Sequence, residues 1–154
     1  MNVVKNALSA ERRESIVASF AKQGVLLGMG GRMASLDTGQ CALELPFGDA
    51  VAQRHGFFAG GAIGTLADVA GGYAAMSVAP AGHDVLTLEY KINFLRPATG
   101  AMLTARATVL RAGRSAIITR VDVVDSEDRL CAAMQQTIVP ALADDSAGTT
   151  ETFR

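Results

Sequence analysis

Residues 53–75, QRHGFFAGGAIGTLADVAGGYAA, decide the fold. Small and apolar residues recur within them at the i, i+3 and i+4 steps of a helix, at Ile63, Leu66, Ala67, Ala70 and Ala74. We therefore predict a helix over residues 60–78, which Pro80 and Gly82 end. Because this helix has almost no polar face, we expect it to be buried on most of its sides.

The segment from His55 to His83 carries one formal charge, Asp68, and a membrane-spanning helix is the alternative interpretation. Two observations argue against a span. The central carboxylate would be costly in the middle of a bilayer, and glycines occupy positions 56, 60, 61, 64, 71 and 72. The segment therefore predicts a buried helix in a globular domain.

Four runs with the alternation of β-strands follow the helix, at residues 86–94, 101–111, 115–125 and 129–139. The first run predicts one polar face and one apolar face, the apolar residues being Leu86, Leu88, Tyr90, Ile92 and Phe94. A glycine-bearing turn at residues 111–114 joins the second run to the third, and Pro140 closes the last. Successive strands of this kind predict an antiparallel meander.

Two elements precede the long helix. Ser9 opens an amphipathic helix for which Gly24 is the expected end. Residues 31–47 alternate as a hairpin whose turn is the DTG sequence of residues 37–39. One buried helix against an antiparallel sheet predicts an α+β fold.

The composition is that of a single globular domain. The chain has 154 residues, and we predict one domain over residues 1–140 with a flexible tail over 141–154. Hydrophobic residues make up 49% and charged residues 19%, which excludes a disordered chain. A net charge of −1 without any basic run argues against a nucleic-acid partner. The N-terminus lacks the apolar stretch of a secretory signal, which favours the cytoplasm.

The two cysteines indicate no special chemistry. Cys41 and Cys131 are far apart and have no CxxC spacing, so neither a disulfide framework nor a zinc site is indicated. We expect reduced, buried thiols.

Three features within residues 53–75 carry chemistry. Asp68 is a lone carboxylate on an otherwise uncharged helix, and burying its charge is costly unless the group is paired or functional. Such a carboxylate suits a general base. The alternative is a carboxylate that is bonded to a buried hydroxyl or that faces a subunit interface. Gly60-Gly61 begins the helix, where free N–H groups suit a developing oxyanion; a tight turn is the alternative. Gln53 and His55 are polar groups just upstream, although a loop histidine is more often a bystander than a catalyst.

These residues, followed by VLTLEYKINFLRPA at 85–98, resemble the phenylacetate-type (PaaI-like) branch of the 4-hydroxybenzoyl-CoA thioesterase superfamily, which has the hotdog fold. Members carry an HGG triplet before the long helix, an LAD with its carboxylate nine residues after the triplet's histidine, and a strand ending in a basic residue and proline, a pattern found here over roughly residues 30–140. The resemblance implies an antiparallel sheet wrapped around a central helix and an active site at a dimer interface. It also implies that Asp68 acts as base or nucleophile, that a Gly60 N–H polarises the thioester carbonyl, and that Gln53 contributes to the site.

One position departs from the motif. The triplet's histidine is replaced by Ala59, so the motif reads AGG. The role of that histidine is therefore absent or supplied by another group, of which His55, four residues earlier, is the nearest candidate. The departure bears on rate and substrate range more than on the fold.

The spacing of Gly60 and Asp68 indicates a shared site. They are eight residues apart, which in one straight helix separates them by about 12 Å along its axis. A base and an oxyanion donor that act on one carbonyl must each lie about 3 Å from the reacting atoms. Two antiparallel helices across a two-fold axis meet this requirement, with Gly60 from one subunit and Asp68 from the other. We therefore expect a homo-oligomer, as a dimer or a dimer of dimers.

Hydrolysis of an acyl-CoA, without a metal or a cofactor, is the function that we expect. A non-catalytic acyl-CoA binder is the first alternative, which Ala59 favours and the retained Asp68 disfavours. A hydratase or dehydratase is the second, and it would need His55 to work together with Asp68.

Two groups of residues are candidates for substrate binding. Phe57, Phe58 and Tyr73 suit either an aryl or a medium-chain acyl pocket. We expect Arg96, Arg111 and Arg114 to hold the phosphates of CoA, because arginine contacts phosphate bidentately. A solvated hairpin turn is the alternative interpretation of Arg111 and Arg114.

Overall fold

A six-stranded antiparallel sheet packs around one long helix in the computed structural model, which describes residues 7–143. In chain order the elements are α1 (Ala10–Phe20), α2 (Gly24–Gly28), β1 (Arg32–Asp37), β2 (Gln40–Pro46), a 3-10 turn (Asp49–Val51), α3 (Gly60–Met76), β3 (His83–Phe94), β4 (Met102–Ala112), β5 (Ile117–Val124) and β6 (Leu130–Leu142). The strand order across the sheet is β1-β2-β4-β5-β6-β3, and each neighbouring pair is antiparallel. The predicted α+β fold is confirmed.

The long helix α3 provides the centre of the hydrophobic core. Leu66, Ala67 and Ala70 are fully buried, as are sheet residues such as Leu43 and Val121 that belong to the same core. The helix predicted at residues 60–78 is thus confirmed, and it ends two residues earlier, at Met76. Within residues 7–143, no helix is both long and apolar enough to cross a membrane.

Strand β3 departs from the predicted meander. It pairs with β6 rather than with β4 and forms one edge of the sheet. The connection at residues 95–101 explains this placement. It begins beside β6, where Leu95 N donates to the Cys131 carbonyl. Its Ala98 carbonyl then accepts from Phe58 N, and it ends beside β2, where Phe47 N donates to the Ala101 carbonyl. The chain therefore crosses the sheet before β4 begins, and only β4, β5 and β6 form the meander.

A β-bulge at Leu88 also corrects the predicted two faces of β3. The pairing with β6 shifts register between Thr87 and Glu89. Strict alternation would place Thr87 and Glu89 on the same polar face, away from the helix. The shift instead turns Thr87 towards α3, on the same side as Tyr90 and Phe94.

Two predicted boundaries are changed by the structure. Ser9 caps α1 as expected, its side chain accepting from Arg12 N, but α1 ends at Phe20, and Gly24 begins α2 instead of ending α1. Strand β6 continues through Pro140 to Leu142, because its pairing with β5 ends at Ile138 and a proline is tolerated where a strand has one neighbour. Residues 144–154 of the predicted tail lie outside the described residues.

The turn between β5 and β6 is organised by Asp125. This carboxylate is 5% exposed and accepts hydrogen bonds from Glu127 N and Arg129 N, each at 3.0 Å, and from Arg129 Nε at 2.8 Å. Burial raises the pKa of the Asp125 carboxyl, but the bonds from Arg129 and Glu127 outweigh burial and lower the pKa below its ordinary value. The ionised form of Asp125 therefore stabilises the fold.

Replacing Asp125 with Asn should lower the free energy of unfolding at pH 7 by about 1 kcal/mol, because these hydrogen bonds lose their charge. Urea unfolding measures the change. Since the folded-state pKa is depressed, this stabilisation is complete above the unfolded value of about 4 and is lost as the pH falls through the folded value. The difference between wild type and variant should therefore shrink in acid. Asp122→Asn is the control, since Asp122 forms an exposed ion pair with Arg120. An equal loss in both variants would contradict the assignment.

Candidate active site

Asp68 lies on the side of α3 that faces β3, and it is half-buried rather than enclosed. Its Oδ1 accepts two hydrogen bonds, from Thr87 Oγ1 at 2.9 Å and from Gln136 Nε2 at 2.7 Å. Both donors are uncharged. Among residues 7–143, no side chain or backbone N–H donates to Oδ2 of this carboxylate. One oxygen of Asp68 is therefore anchored, and the other has no donor among the described residues.

Gln136 reaches Asp68 from β6 and is itself held by β5. Thr119 Oγ1 donates to Gln136 Oε1 at 2.8 Å, and both side chains are buried. Gly71 makes room for the amide, because a Cβ at that position would lie 1.5 Å from Gln136 Oε1. The amide thus passes across α3 at a glycine.

The N-terminus of α3 has free backbone donors. Ala59 is the N-cap and makes no side-chain capping bond, and the first helical bond runs from Ile63 N to the Ala59 carbonyl at 3.1 Å. The N–H groups of Gly60 and Gly61 therefore have no acceptor within the helix. A cleft of about 490 Å³ adjoins this terminus and is lined in part by Gln53, Phe57, Phe58, Gly60, Phe94 and Arg96.

The loop before α3 holds Gln53 and His55. Gln53 Oε1 accepts from His55 N at 2.8 Å, which closes the loop and leaves the Gln53 amino group without a partner within residues 7–143. The exposed His55 ring accepts from Arg54 Nε at 3.0 Å. Within one chain, His55 is therefore turned towards its neighbour and does not contact Asp68.

Asp68 opens on a different cleft, of about 380 Å³, lined in part by Ser19, Gln23, Val69, Tyr73, Asp84 and Thr87. Tyr73 is buried, its hydroxyl within hydrogen-bonding distance of Ser19 Oγ and Gln23 Nε2 at 3.3 and 3.1 Å. Phe57 and Phe58 line the cleft at Gly60 instead. The residues predicted to form one site thus fall into two clefts of a single chain.

The three candidate arginines are also separated. Arg96 lines the cleft at Gly60. Arg111 and Arg114 are exposed in the β4–β5 hairpin and line neither cleft.

The two cysteines are unsuitable as nucleophiles. Burial raises the pKa of Cys41 to about 12 and also raises the pKa of Cys131, so both thiols are protonated at neutral pH. Among the residues that the structure describes, no three His, Cys, Asp or Glu side chains come together as a group that could hold a metal ion.

The family model of the thioesterase superfamily matches residues 55–132, which is half of the chain and includes Gly60 and Asp68. The chain belongs to the thioesterase superfamily. Membership makes it a hydrolase that acts on thioesters. It also confirms the hotdog fold expected from the sequence.

This thioesterase is 34% identical to a candidate esterase of Saccharolobus solfataricus over 99 residues, which are 64% of this chain and 70% of that protein. A crystal structure of a thioesterase family protein from Silicibacter pomeroyi is 33% identical, with a TM-score of 0.82 over 86% of this chain and 99% of that one. The E. coli PaaI protein from the phenylacetic acid degradation operon shares the fold at 23% identity, with a TM-score of 0.79 over 87% and 96%. A Streptococcus mutans protein solved with acetyl CoA is 25% identical, with a TM-score of 0.66 over 72% and 88%.

Three contacts of this thioesterase were missed by the sequence analysis, namely those of Thr87, Gln136 and Thr119. The bulge in β3 turns Thr87 towards Asp68, and no pattern in the sequence predicts this bulge. Gln136 is separated from Asp68 by 68 positions along the chain, and strand alternation alone does not identify its partner. Gly71, a glycine inside an otherwise regular helix, is the signal that could have indicated a close approach by another element.

Proposed function

We propose that this chain hydrolyses an acyl-CoA thioester to a free acid and CoA. The observation that carries the proposal is Asp68, a carboxylate in a cleft, anchored through Oδ1 with Oδ2 unbonded among the described residues. The acetyl CoA bound to the Streptococcus mutans neighbour supports CoA as the carrier of the acyl group. The cytoplasm remains the predicted compartment.

Asp68 can act in either of two ways. As a general base, Oδ2 takes a proton from water while the water oxygen attacks the thioester carbonyl; the C–S bond then breaks, and the proton passes to the CoA thiolate. As a nucleophile, Oδ2 attacks the carbonyl directly and expels the thiolate, and water then hydrolyses the resulting mixed anhydride. Both routes place a negative charge on the carbonyl oxygen, which needs a donor.

The N–H groups of Gly60 and Gly61 supply that donor in our proposal. They lie at the positive end of α3 and have no acceptor within the helix. Neither can serve Asp68 of the same chain, because α3 is continuous and about 12 Å of helix axis separates residue 60 from residue 68. The site that we propose is therefore shared between two subunits.

One face of α3 is arranged for such sharing. Gly60, Gly64 and Asp68 lie on it at intervals of four, each next to β3: Gly60 beside Phe94, Gly64 beside Tyr90, and Asp68 bonded to Thr87. If a two-fold axis passes near Gly64, the antiparallel partner helix brings its Gly60 opposite Asp68. A Gln53 from the partner's loop would then accompany that Gly60.

The edge strand β3 is the surface that a second copy would cover. It is twelve residues long, has no neighbour on its outer side within residues 7–143, and exposes large apolar side chains, at Leu86, Leu88, Tyr90 and Phe94. Long apolar edge strands are normally protected in monomers. Covering β3 and completing the site would be the same event.

The substrate would lie where the two clefts meet across the interface. The cleft at Gly60 supplies the aromatic rings of Phe57 and Phe58, while the cleft at Asp68 supplies Tyr73. Of the three candidate arginines, only Arg96 lines one of the two clefts, so it is our first candidate for the CoA phosphates. Arg111 and Arg114 remain candidates only if a further subunit or a long CoA reaches the β4–β5 hairpin.

A non-catalytic acyl-CoA binder is the second candidate function. Ala59 stands where the motif has a histidine, and it favours this function because alanine supplies no polar side chain beside the Gly60 N–H. Release of free CoA by the wild type, followed with a thiol reagent over a panel of acyl-CoAs, separates hydrolysis from binding. A hydratase is less well supported, since His55 does not contact Asp68 within one chain.

Asp68→Asn should lower kcat by at least about 10²–10⁴-fold, the usual effect of losing a general base. Stability should be unchanged or raised, because Asn keeps an oxygen that can accept from Thr87 and Gln136. Asp84→Asn is the matched control, since Asp84 lines the same cleft but bonds its own backbone through Val85 N. His55→Asn should have a smaller effect. Near wild-type turnover by Asp68→Asn would refute the mechanism.

Subunits should complement one another. Asp68→Asn and Gly60→Pro are each expected to be inactive, and a co-refolded equal mixture should recover about a quarter of wild-type activity, because half of the dimers are mixed and one of their two sites is intact. Proline is tolerated at the first helical position but removes the N–H. Gly60→Ala adds the same Cβ beside Phe94 and keeps the N–H, so it should stay active. A mixture that remains inactive while both variants are folded dimers would rule out shared sites.

Arg96→Ala should raise KM for acyl-CoA about tenfold, which corresponds to roughly 1.4 kcal/mol of binding, and leave kcat nearly unchanged. The effect should vanish with an acyl-pantetheine thioester, which lacks the nucleotide phosphates. Arg32→Ala is the control, since Arg32 pairs with Glu44 on the exposed surface. The same two substrates test Arg111→Ala and Arg114→Ala. An equal rise in KM with both substrates would exclude phosphate binding by that arginine.

A further inference from the structure

The buried amide of Gln136 uses its amino group to bind Asp68 and its oxygen to bind Thr119. Gln136 is 1% exposed, and its Nε2 donates both to Asp68 Oδ1 at 2.7 Å and to the Asp68 backbone carbonyl at 3.2 Å. Its Oε1 accepts from Thr119 Oγ1, and Thr119 is 0% exposed. Burying an amide and a hydroxyl is unfavourable unless each is hydrogen-bonded, so this pair stabilises the fold only in this arrangement.

The orientation of the amide is determined by its neighbours. An ionised carboxylate and a backbone carbonyl can only accept hydrogen bonds, so the amino group of Gln136 must face Asp68. The carbonyl group must then face Thr119, whose hydroxyl donates to it. A rotation of the amide by half a turn would place two acceptors against each other on the Asp68 side.

Gly71 is the backbone feature that permits this contact. A Cβ there would lie 1.5 Å from Gln136 Oε1 and 2.9 Å from Thr119 Oγ1. Glycine inside a helix is destabilising by about 0.5–1 kcal/mol relative to alanine. Gly71 therefore makes α3 less stable at the turn where the Gln136 amide crosses it.

We propose that Gln136, oriented by Thr119, is a positioning residue for Asp68: it holds Oδ1 so that Oδ2 is presented to the attacking water or to the thioester carbonyl. The proposal rests on the function proposed for Asp68. Thr87 binds the same oxygen from β3, so Oδ1 is held from two neighbouring strands, β3 and β6. Gln136 itself does not touch the reacting atoms.

Four variants test the proposal in the intact enzyme. Gln136→Leu removes both donors at similar volume and should lower kcat about 10- to 100-fold with KM nearly unchanged, because the bound substrate is still held while the carboxylate is misplaced. Thr119→Val should lower kcat less, and Thr119→Ser, which keeps the hydroxyl, should restore it. Gly71→Ala should reproduce the loss of kcat by displacing the amide. Circular dichroism and gel filtration identify variants that do not fold or assemble.

Gln136→Glu provides a readout that a purely structural role would not change. It places a second carboxyl group in hydrogen-bonding contact with Asp68, and two such groups share one proton. The acidic limb of the kcat/KM profile should therefore move to higher pH by about one unit or more. The other titratable side chains that line the cleft, Tyr73 and Asp84, make no hydrogen bond to Asp68, so the shift reports the new carboxyl group.

A double-mutant comparison separates this proposal from the function on which it rests. In the Asp68→Asn background, Gln136→Leu should cause no further fall in kcat, because there is no base left to position. Full activity of Asp68→Asn alone would overturn the proposed function. If Asp68→Asn is inactive while Gln136→Leu and Thr119→Val keep wild-type kcat and Gln136→Glu keeps the wild-type pH profile, only the positioning role is overturned.

Discussion

A carboxylate on an apolar helix must find hydrogen-bond donors, and the arrangement around Asp68 depends on meeting this requirement without a charge. Its donors come from opposite ends of the chain segment that follows α3, Thr87 on β3 and Gln136 on β6. Because β3 and β6 are neighbours in the sheet, one register of pairing brings both to the same oxygen. A single residue of slippage would turn Thr87 or Gln136 away from the helix.

The local elements could be predicted from the sequence, while the features that complete the site could not. The helix at residues 60–76 and the strands follow from periods of 3.6 and 2, which are properties of short segments. The pairing of β3 with β6 depends on the path of residues 95–101 across the sheet, and the bulge at Leu88 depends on that pairing. Both features are set by tertiary contacts, so strand alternation alone could not predict that Thr87 faces α3.

The candidate residues divide in the same way. Asp68 and Gly60 stand out because a charge and a glycine pair are unusual in an apolar segment, and the motif reinforced both. Gln136 does not stand out, because a glutamine in an alternating strand is expected to face solvent. The proposed sharing of Gly60 and Asp68 between two subunits follows from helical rise alone, so simple geometry could predict it. The contact of the Gln136 amide with Asp68 depends on tertiary structure and could not be predicted in this way.

The exposed edge of β3 makes a newly synthesised chain prone to pair with other extended segments. While its outer edge is uncovered, the backbone and the apolar side chains of β3 can pair with an extended segment of an unrelated or unfolded protein. Glu89 and Lys91 on the outward side and the bulge at Leu88 interrupt a flat, uncharged template. If β3 pairs with the same strand of a second copy, as proposed, it must admit that strand and exclude most others, and its charges and its irregular register favour the exclusion.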